Sequence, residues 1–255
     1  MINFVDWMET VTQRKINRQN NLFYGELAKY YDLIYSHKNY KGEVNEILDI
    51  IHKYKKSNGG ALLDIACGTG KYLEYLQETF SCTGVDLNQA MLDIAKKRLG
   101  NVKLFRRDML NLRLNTYFDI ITCLFGAIAY ARNYQNLKRV MNNFYKHLKP
   151  GGILIIDGWY NIDQWKAGAV SLGVYGTNNL KIIRVGYNKI KGNTALFEDH
   201  YLIAKKRIKH FSSEQQFGLF GPDTVIKLLN KYGFKSKIIK DTSLNNTRYV
   251  AVKQL

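Results

Sequence analysis

An apolar run, Leu62-Leu63-Asp64-Ile65, holds one acid and gives way to Ala66-Cys67-Gly68-Thr69-Gly70, with glycines two residues apart. Gly84-Val85-Asp86-Leu87-Asn88 follows, its acid 22 positions after Asp64. Together the two segments describe parallel strands that meet a nucleoside-bearing ligand at their carboxyl ends. Glycines at 68 and 70 permit positive φ and a close approach of backbone to ligand that a side chain would block. An acid closing the next strand can accept both hydroxyls of a ribose.

What is missing narrows the ligand. A dinucleotide site needs G-x-G-x-x-G, whose last glycine lets the helix pack closely and whose helix N-terminus holds a pyrophosphate. Here the run is Gly68-Thr69-Gly70-Lys71-Tyr72-Leu73, with leucine in the third place, which disfavours NAD. No Gly-Lys-Ser/Thr of a Walker loop is present. Asp64 beside the turn would repel an anion and suits the cationic amino end of S-adenosylmethionine.

Five segments in order carry a resemblance: Asp64 to Gly70 as D-x-A-x-G-x-G, Gly84 to Asp86 as G-x-D, Asp108-Met109 after a strand, Phe118-Asp119-Ile120-Ile121-Thr122 as a fourth strand, and Leu148-Lys149-Pro150-Gly151-Gly152 before a fifth. Over roughly residues 60–157 the chain resembles the class I S-adenosylmethionine-dependent methyltransferases. The resemblance implies that Ala66, Cys67, Gly68 and Gly70 contact the methionyl part and Asp86 the ribose. It further implies Leu87 on a face of the adenine, Asp108 with the Met109 amide at its edge, and Phe125 near the methionine end. Asp119 reads equally well as a strand-closing acid, and Cys67 and Cys123 as small core fillers.

Length and composition suit one cytoplasmic enzyme domain without a metal site. The 255 residues are 46% hydrophobic, enough for a sizeable core. Three cysteines, Cys67, Cys82 and Cys123, have no paired spacing and imply a reducing compartment. No segment has the length of a membrane span, and Met1 to Asn21 lacks a signal-peptide core. The net charge is +17, and residues 161–255 hold 16 Lys and Arg against 6 Asp and Glu. The densest piece, Lys205-Lys206-Arg207-Ile208-Lys209, lacks the interleaved aromatics with which a single-strand binder stacks bases. The surplus therefore reads as a pull on anionic small substrates rather than as a nucleic-acid surface.

The elements that must position these residues follow from periodicity. Tyr24, Leu27, Tyr31, Ile34 and Tyr35 recur at helical spacing, predicting a helix over 22–36, with another over 41–56. Alternating strands (61–66, 81–86, 102–106, 118–124, 152–157) and helices (70–79, 89–99 capped by Asn88, 134–148) predict a parallel sheet covered on both faces. After Trp159 the pattern changes to a three-strand meander (180–190, 194–205, 207–218). A helix over 222–232, opened by Pro222 and stopped by Gly233, and strands near 235–240 and 247–253 complete the chain. The fold class expected is α/β, a Rossmann-like seven-stranded, mostly parallel sheet with an inserted antiparallel meander and, by the resemblance, an antiparallel last strand. Within a single domain the segments are a helical cap (1–57), a cofactor-binding core (58–160), the antiparallel insertion (175–220), and a C-terminal helix with strands (221–255).

Leu27 to Tyr35, Ala66 to Gly70, Thr122 to Phe125 and Ile208 to Phe220 are together similar to the N,N-dimethyltransferases that act on nucleotide-borne 3-amino sugars. That similarity implies a small-molecule amine as methyl acceptor; hydroxyl, RNA or protein acceptors are the alternatives, and a non-catalytic cofactor-binding protein is the reading of another class. The sugar enzymes carry two histidines on the strand after the meander turn, of which His210 matches the first while Gln215 stands at the second. Their histidine after the fourth strand is matched by Tyr130. Tyr130, His210 and Glu214 are the candidates to orient the acceptor and relieve it of a proton. Tyr31 is expected by analogy at the methionyl end, or else as a core aromatic. Trp159 and Tyr160 are candidate walls of the acceptor pocket, and Arg248 a candidate for a substrate phosphate or a plain surface charge.

Overall fold

The computed structural model describes residues 24–240 and 247–255. The start of the expected first helix, and residues 1–21 of the expected cap, lie outside the described residues. The chain divides into two compact units, one formed by residues up to His37 with Lys166–Gln216, the other by Lys38–Trp165 with Phe217–Leu255. Residues up to His37 thus group with the antiparallel strands and not with residues 38–57.

The larger unit is built on a seven-stranded sheet. Its strands are β1 (Ala61–Ile65), β2 (Ser81–Asp86), β3 (Lys103–Arg106), β4 (Phe118–Cys123), β5 (Leu148–Asp157), β10 (Phe234–Lys240) and β11 (Thr247–Lys253). They lie in the order β10-β11-β5-β4-β1-β2-β3. Pairs β1–β2, β1–β4, β2–β3 and β4–β5 are parallel, whereas β11 runs antiparallel to both β5 and β10. The chain starts at β1, winds outward through β2 and β3, and returns to β4 on the other side. This reversal opens a crevice at the carboxyl ends of β1 and β4, where such sheets bind ligands.

Period-two alternation explains why both faces are covered. On β5, Ile153 and Ile155 pack with Val44, Ile47 and Ile51 of α2 (Tyr40–Tyr54), Leu73 and Leu76 of α3 (Lys71–Leu76), and Leu92 and Ala95 of α4 (Gln89–Leu99). Leu154 and Ile156 face the other way, onto Leu137, Val140 and Phe144 of α5 (Tyr134–His147) and Val225 and Leu228 of α6 (Pro222–Lys231). Burying aliphatic side chains on both faces contributes roughly 1.5 to 3 kcal/mol each, and it pins the register, since a one-residue slip would exchange the faces.

The smaller unit holds α1 (Ala28–Ile34) and a sheet in the order β6-β7-β8-β9, with β6 (Val170–Thr177), β7 (Leu180–Lys191), β8 (Thr194–Ala204) and β9 (Ile208–Gly218). The expected meander of three strands is therefore four. The additional strand, β6, contains Gly173 and Gly176 and leaves Val170, Leu172 and Val174 exposed, which hides its alternation from a reading based on burial. Two further expectations change. Strand β5 begins at Leu148 rather than 152, and Asn88 makes no side-chain cap on α4; its backbone amide is instead held by Asp86.

Arg248 on β11 is not a surface charge. It is 1% exposed and donates to Asp157 Oδ1 at 2.7 Å and to Glu46 Oε2 at 3.2 Å. With its fork engaged by two carboxylates, it is committed to the protein rather than to a substrate phosphate. Replacing Arg248 with methionine should lower unfolding free energy by about 3 to 5 kcal/mol in urea titration, because Asp157 is left buried with an unmatched charge. An unchanged midpoint would contradict this pairing.

Candidate active site

The two acids that opened the sequence reading come together. The register sets Asp64 beside Gly84 and beside Thr122. Thr122 Oγ1 donates to Asp64 Oδ1 at 2.8 Å. Asp86, ending β2, accepts from the Gly68 amide at 2.9 Å through Oδ2 and from the Asn88 amide at 2.8 Å through Oδ1. Asp86 thus ties the tip of its own strand to the glycine turn that follows the neighbouring strand β1. Each carboxylate oxygen keeps a second lone pair, so the acid can still accept two hydroxyls.

Between these acids the backbone bends sharply. Ala66, Gly68 and Gly70 have φ of 58°, 54° and 78°. A Cβ at Gly68 would meet nothing within 4 Å, so the turn borders open space, whereas one at Gly70 would lie 2.7 Å from Leu99 Cδ1. The first glycine leaves room for a ligand, and the second lets α4 pack against the turn. Ala66 has no such freedom, and a non-glycine residue there costs on the order of 1 to 3 kcal/mol, the kind of strain that gathers at functional sites.

A third acid, Asp157, ends β5. Its Oδ2 accepts the Phe125 amide at 2.9 Å, and Phe125 is itself held at φ 54°. Arg248 balances Asp157, so the negative character of the site rests on Asp64 and Asp86. Burial, together with the charges of Asp86 and Asp157, pushes the Asp64 carboxyl up to about 7 against the Thr122 hydrogen bond. Asp86 is likewise raised by burial, opposed by its backbone amides. A donor set of this sign suits a ligand with ammonium and sulfonium charges and rejects a pyrophosphate.

The other candidates of the larger unit are placed as follows. Asp108 caps a short 3₁₀ turn at Met109–Asn111 by accepting the Leu110 amide at 2.8 Å, and Met109 is buried. Leu87, next to Asp86 in the chain, is an apolar side chain left 57% exposed. Trp159 and Tyr160 line a cleft with Ile128, Phe220, Val225 and Tyr249. Tyr130 stacks obliquely on Phe217 at 4.8 Å between centroids, and Trp159 meets the same ring at 4.4 Å. Cys67 and Cys123 are buried thiols raised well above their ordinary range by burial and by nearby carboxylates. Among the described residues, no group of three or more His, Cys, Asp or Glu could hold a metal ion.

Tyr31, His210 and Glu214 belong to the smaller unit. Tyr31 packs on Tyr35 and Tyr24 within a cluster that includes Ile182 and Tyr201. Exposed His210 lies parallel to His200, the rings 8° apart in plane and His200 Nδ1 3.0 Å from His210 Nε2. His200 in turn lies 3.5 Å from Glu198. Sequence reasoning passed over His200; alternation along β8, which sets it on the same face as Glu198, was the available signal.

Comparison with known proteins fits this geometry. Residues 62–152 match the family described as "Methyltransferase domain". The dTDP-3-amino-3,4,6-trideoxy-alpha-D-glucopyranose N,N-dimethyltransferase of Streptomyces venezuelae is 32% identical over 198 residues, covering 76% of this chain and 83% of that enzyme. The chain belongs to the class I S-adenosylmethionine-dependent methyltransferases. Among solved structures, the sugar N-methyltransferase KedS8 from Streptoalloteichus aligns with a TM-score of 0.81 and 29% identity, covering 88% of this chain and 93% of that one. The amino pentose methyltransferase CalS10 from Micromonospora echinaspora, solved with S-adenosylmethionine bound, aligns at 0.77 with 26% identity over 85% and 92%. In this methyltransferase too S-adenosylmethionine is the methyl donor.

The raised Asp64 carboxyl has a signed consequence for the free enzyme. Between its ordinary value of 3.8 and its folded value of about 7, the folded state holds a proton that the unfolded chain releases, so stability falls as pH rises through that window. Asp64→Asn, which still offers Thr122 an acceptor, should be more resistant to urea than wild type at about pH 8, with the difference vanishing near pH 4. A variant less stable than wild type at the higher pH would refute the burial argument.

Proposed function

We propose that this methyltransferase acts on the amine of a small, anionic acceptor, an amino sugar carried on a nucleotide. The observation that carries the proposal is how far the similarity extends. The family match ends at residue 152, yet the Streptomyces venezuelae enzyme aligns over 198 residues. A cofactor core is common to methyltransferases of every acceptor class, so likeness beyond it is what bears on the acceptor. The three free, buried cysteines agree with a reducing, cytoplasmic compartment.

In this reading Asp64 receives the ammonium of the methionyl part, and the backbone of Ala66, Cys67, Gly68 and Gly70 lies along it. Asp86 accepts the ribose hydroxyls, Leu87 covers the adenine, and Asp108 and the Met109 amide meet its edge. Phe125 lies near the methionine end, and Tyr31, in the smaller unit, keeps the cofactor role expected for it by analogy. When bound, the sulfonium supplies an electrophilic methyl group for in-line displacement. The protein's part is alignment and exclusion of water, and positioning alone is worth about 7 to 11 kcal/mol in favourable cases.

An amine attacks only as the free base, so a group must hold or remove its proton. Tyr130 in the larger unit, and His210 and Glu214 in the smaller, are each candidates for that task; Trp159 and Tyr160 are candidate walls for the acceptor. His200 extends the assignment, since a second imidazole at hydrogen-bond distance can pass on a proton that His210 takes. Tyr130 and Gln215 depart from the histidines of the sugar enzymes on the acceptor side, and so point to an amine placed differently from theirs.

Two measurements test these assignments. Incubation with labelled S-adenosylmethionine and a panel of nucleotide-linked amino sugars should give methylated amines by mass spectrometry; methylation of hydroxyl compounds alone would overturn the amine, and a macromolecular product whose yield falls steeply with salt would point to nucleic acid. Asp86→Ala should weaken S-adenosylmethionine binding at least about tenfold, as expected for loss of charge-assisted hydrogen bonds. Undiminished affinity would remove the ribose assignment.

A further inference from the structure

The turn that carries Asp108 and Met109 gets little support from the sheet. It follows β3, a largely exposed edge strand, so pairing holds this part of the chain from one side only. A 3₁₀ turn of three residues also leaves carbonyl oxygens at its end without partners of their own. Helix α5 supplies what is missing. Asn143 Nδ2 donates to the Met109 carbonyl at 2.9 Å and to the Leu110 carbonyl at 3.0 Å, which uses both protons of its amide. One helical turn on, His147 Nε2 accepts the Leu114 amide at 3.0 Å, and Nδ1 lies 2.7 Å from the Asn143 carbonyl oxygen. A carbonyl only accepts and an amide N–H only donates, so the imidazole carries its proton on Nδ1.

Packing alone would not orient this turn. Met109 and Leu112 share one buried cluster with Leu137, Val140 and Phe144 of α5, but apolar burial is non-directional. The polar contacts converge on a single peptide plane. Its oxygen, on Met109, is held by Asn143, and its N–H, on Leu110, is held by Asp108 Oδ1 at 2.8 Å. Because the plane is rigid, Asn143 orients the Asp108 carboxylate through it. His147, itself buried, secures the far end of the same loop at Leu114.

We propose that Asn143 and His147 are positioning residues for the purine of the cofactor: they fix the peptide that aims Asp108, so that the site takes a 6-amino purine and turns away a 6-oxo one. The inference rests on the adenine-edge assignment made above. There Asp108 offers an acceptor to the exocyclic amine, and the Met109 amide offers a donor to the ring nitrogen beside it. A 6-oxo purine reverses both, presenting an oxygen to the carboxylate and an N–H to the amide. Discrimination of that kind is steep only while the two groups are held in place, since groups free to shift can evade the mismatch.

The test is calorimetric and needs no turnover. S-adenosylhomocysteine and S-inosylhomocysteine differ only at the purine edge, where the second carries an oxygen in place of the amine and a proton on the adjacent ring nitrogen. Wild-type protein should bind the adenosyl compound at least about tenfold more tightly, the difference expected when a charge-assisted hydrogen bond is lost. Asn143→Leu and His147→Leu should each lose most of that preference, whereas His147→Gln, whose amide oxygen can still accept the Leu114 N–H, should keep it. Should Asn143→Leu fail to fold, Asn143→Ser, too short to reach either carbonyl, carries the same comparison. A general loss of stability would weaken both ligands alike and leave their ratio unmoved, so a wild-type preference retained in the folded Asn143 and His147→Leu variants would overturn the proposal. Equal affinities in the wild type would overturn the adenine-edge assignment and this inference with it.

Discussion

Three carboxylates held at the carboxyl ends of neighbouring strands set the conditions for everything else in the larger unit. Asp64 is the penultimate residue of β1, Asp86 and Asp157 end β2 and β5, and each is immobilised by a different device: a threonine hydroxyl, two backbone amides, and an arginine with a further amide. Like charges gathered in a partly dry crevice repel, which is why the Asp64 carboxyl is pushed up by burial and then by its two neighbours. The arrangement stores an unfavourable electrostatic energy that a cationic ligand relieves. A chain with a net charge of +17 thus presents a local field of the opposite sign at the ends of these strands, where the cofactor is proposed to bind.

Backbone strain is spent in the same place. Ala66 and Phe125, both non-glycine residues at positive φ, end the two central strands β1 and β4. Each is stabilised from outside its own turn: the Ala66–Gly70 bend by Asp86, which holds the Gly68 amide, and Phe125 by Asp157. Acids and strained turns therefore support one another. An acid removed loosens a turn, and a relaxed turn leaves an acid without its donor. Arg248 and Glu46 extend this network from β11 to α2, so that helix is tied to the sheet by charge as well as by packing.

What could be read from the sequence was what is local. Asp64, the glycines and Asp86 declare themselves by spacing, because a strand, a turn and the next strand impose fixed distances along the chain. The order of strands and helices followed from periodicity, and the bounds set by Pro222 and Gly233 from positional preference. Less legible were features whose causes are distant. Arg248 looked like a surface charge because its partners lie 91 and 202 residues away. Asn88 looked like a cap, and only the fold shows Asp86 taking its amide. Strand β6, with its apolar side chains exposed, gave no signal of burial to detect.

The central claim is that an electrostatically strained acid cluster recognises the cationic end of the cofactor. It is tested most directly by titrating S-adenosylhomocysteine into the enzyme in two buffers of different ionisation enthalpy at about pH 6.5, where a carboxyl raised to this degree is still largely protonated. Arrival of the ligand's ammonium should draw Asp64 into its charged form and release a proton, so the observed heats should differ between buffers in wild type and coincide in Asp64→Asn. Heats independent of buffer in the wild-type enzyme, or no binding heat at all, would contradict it.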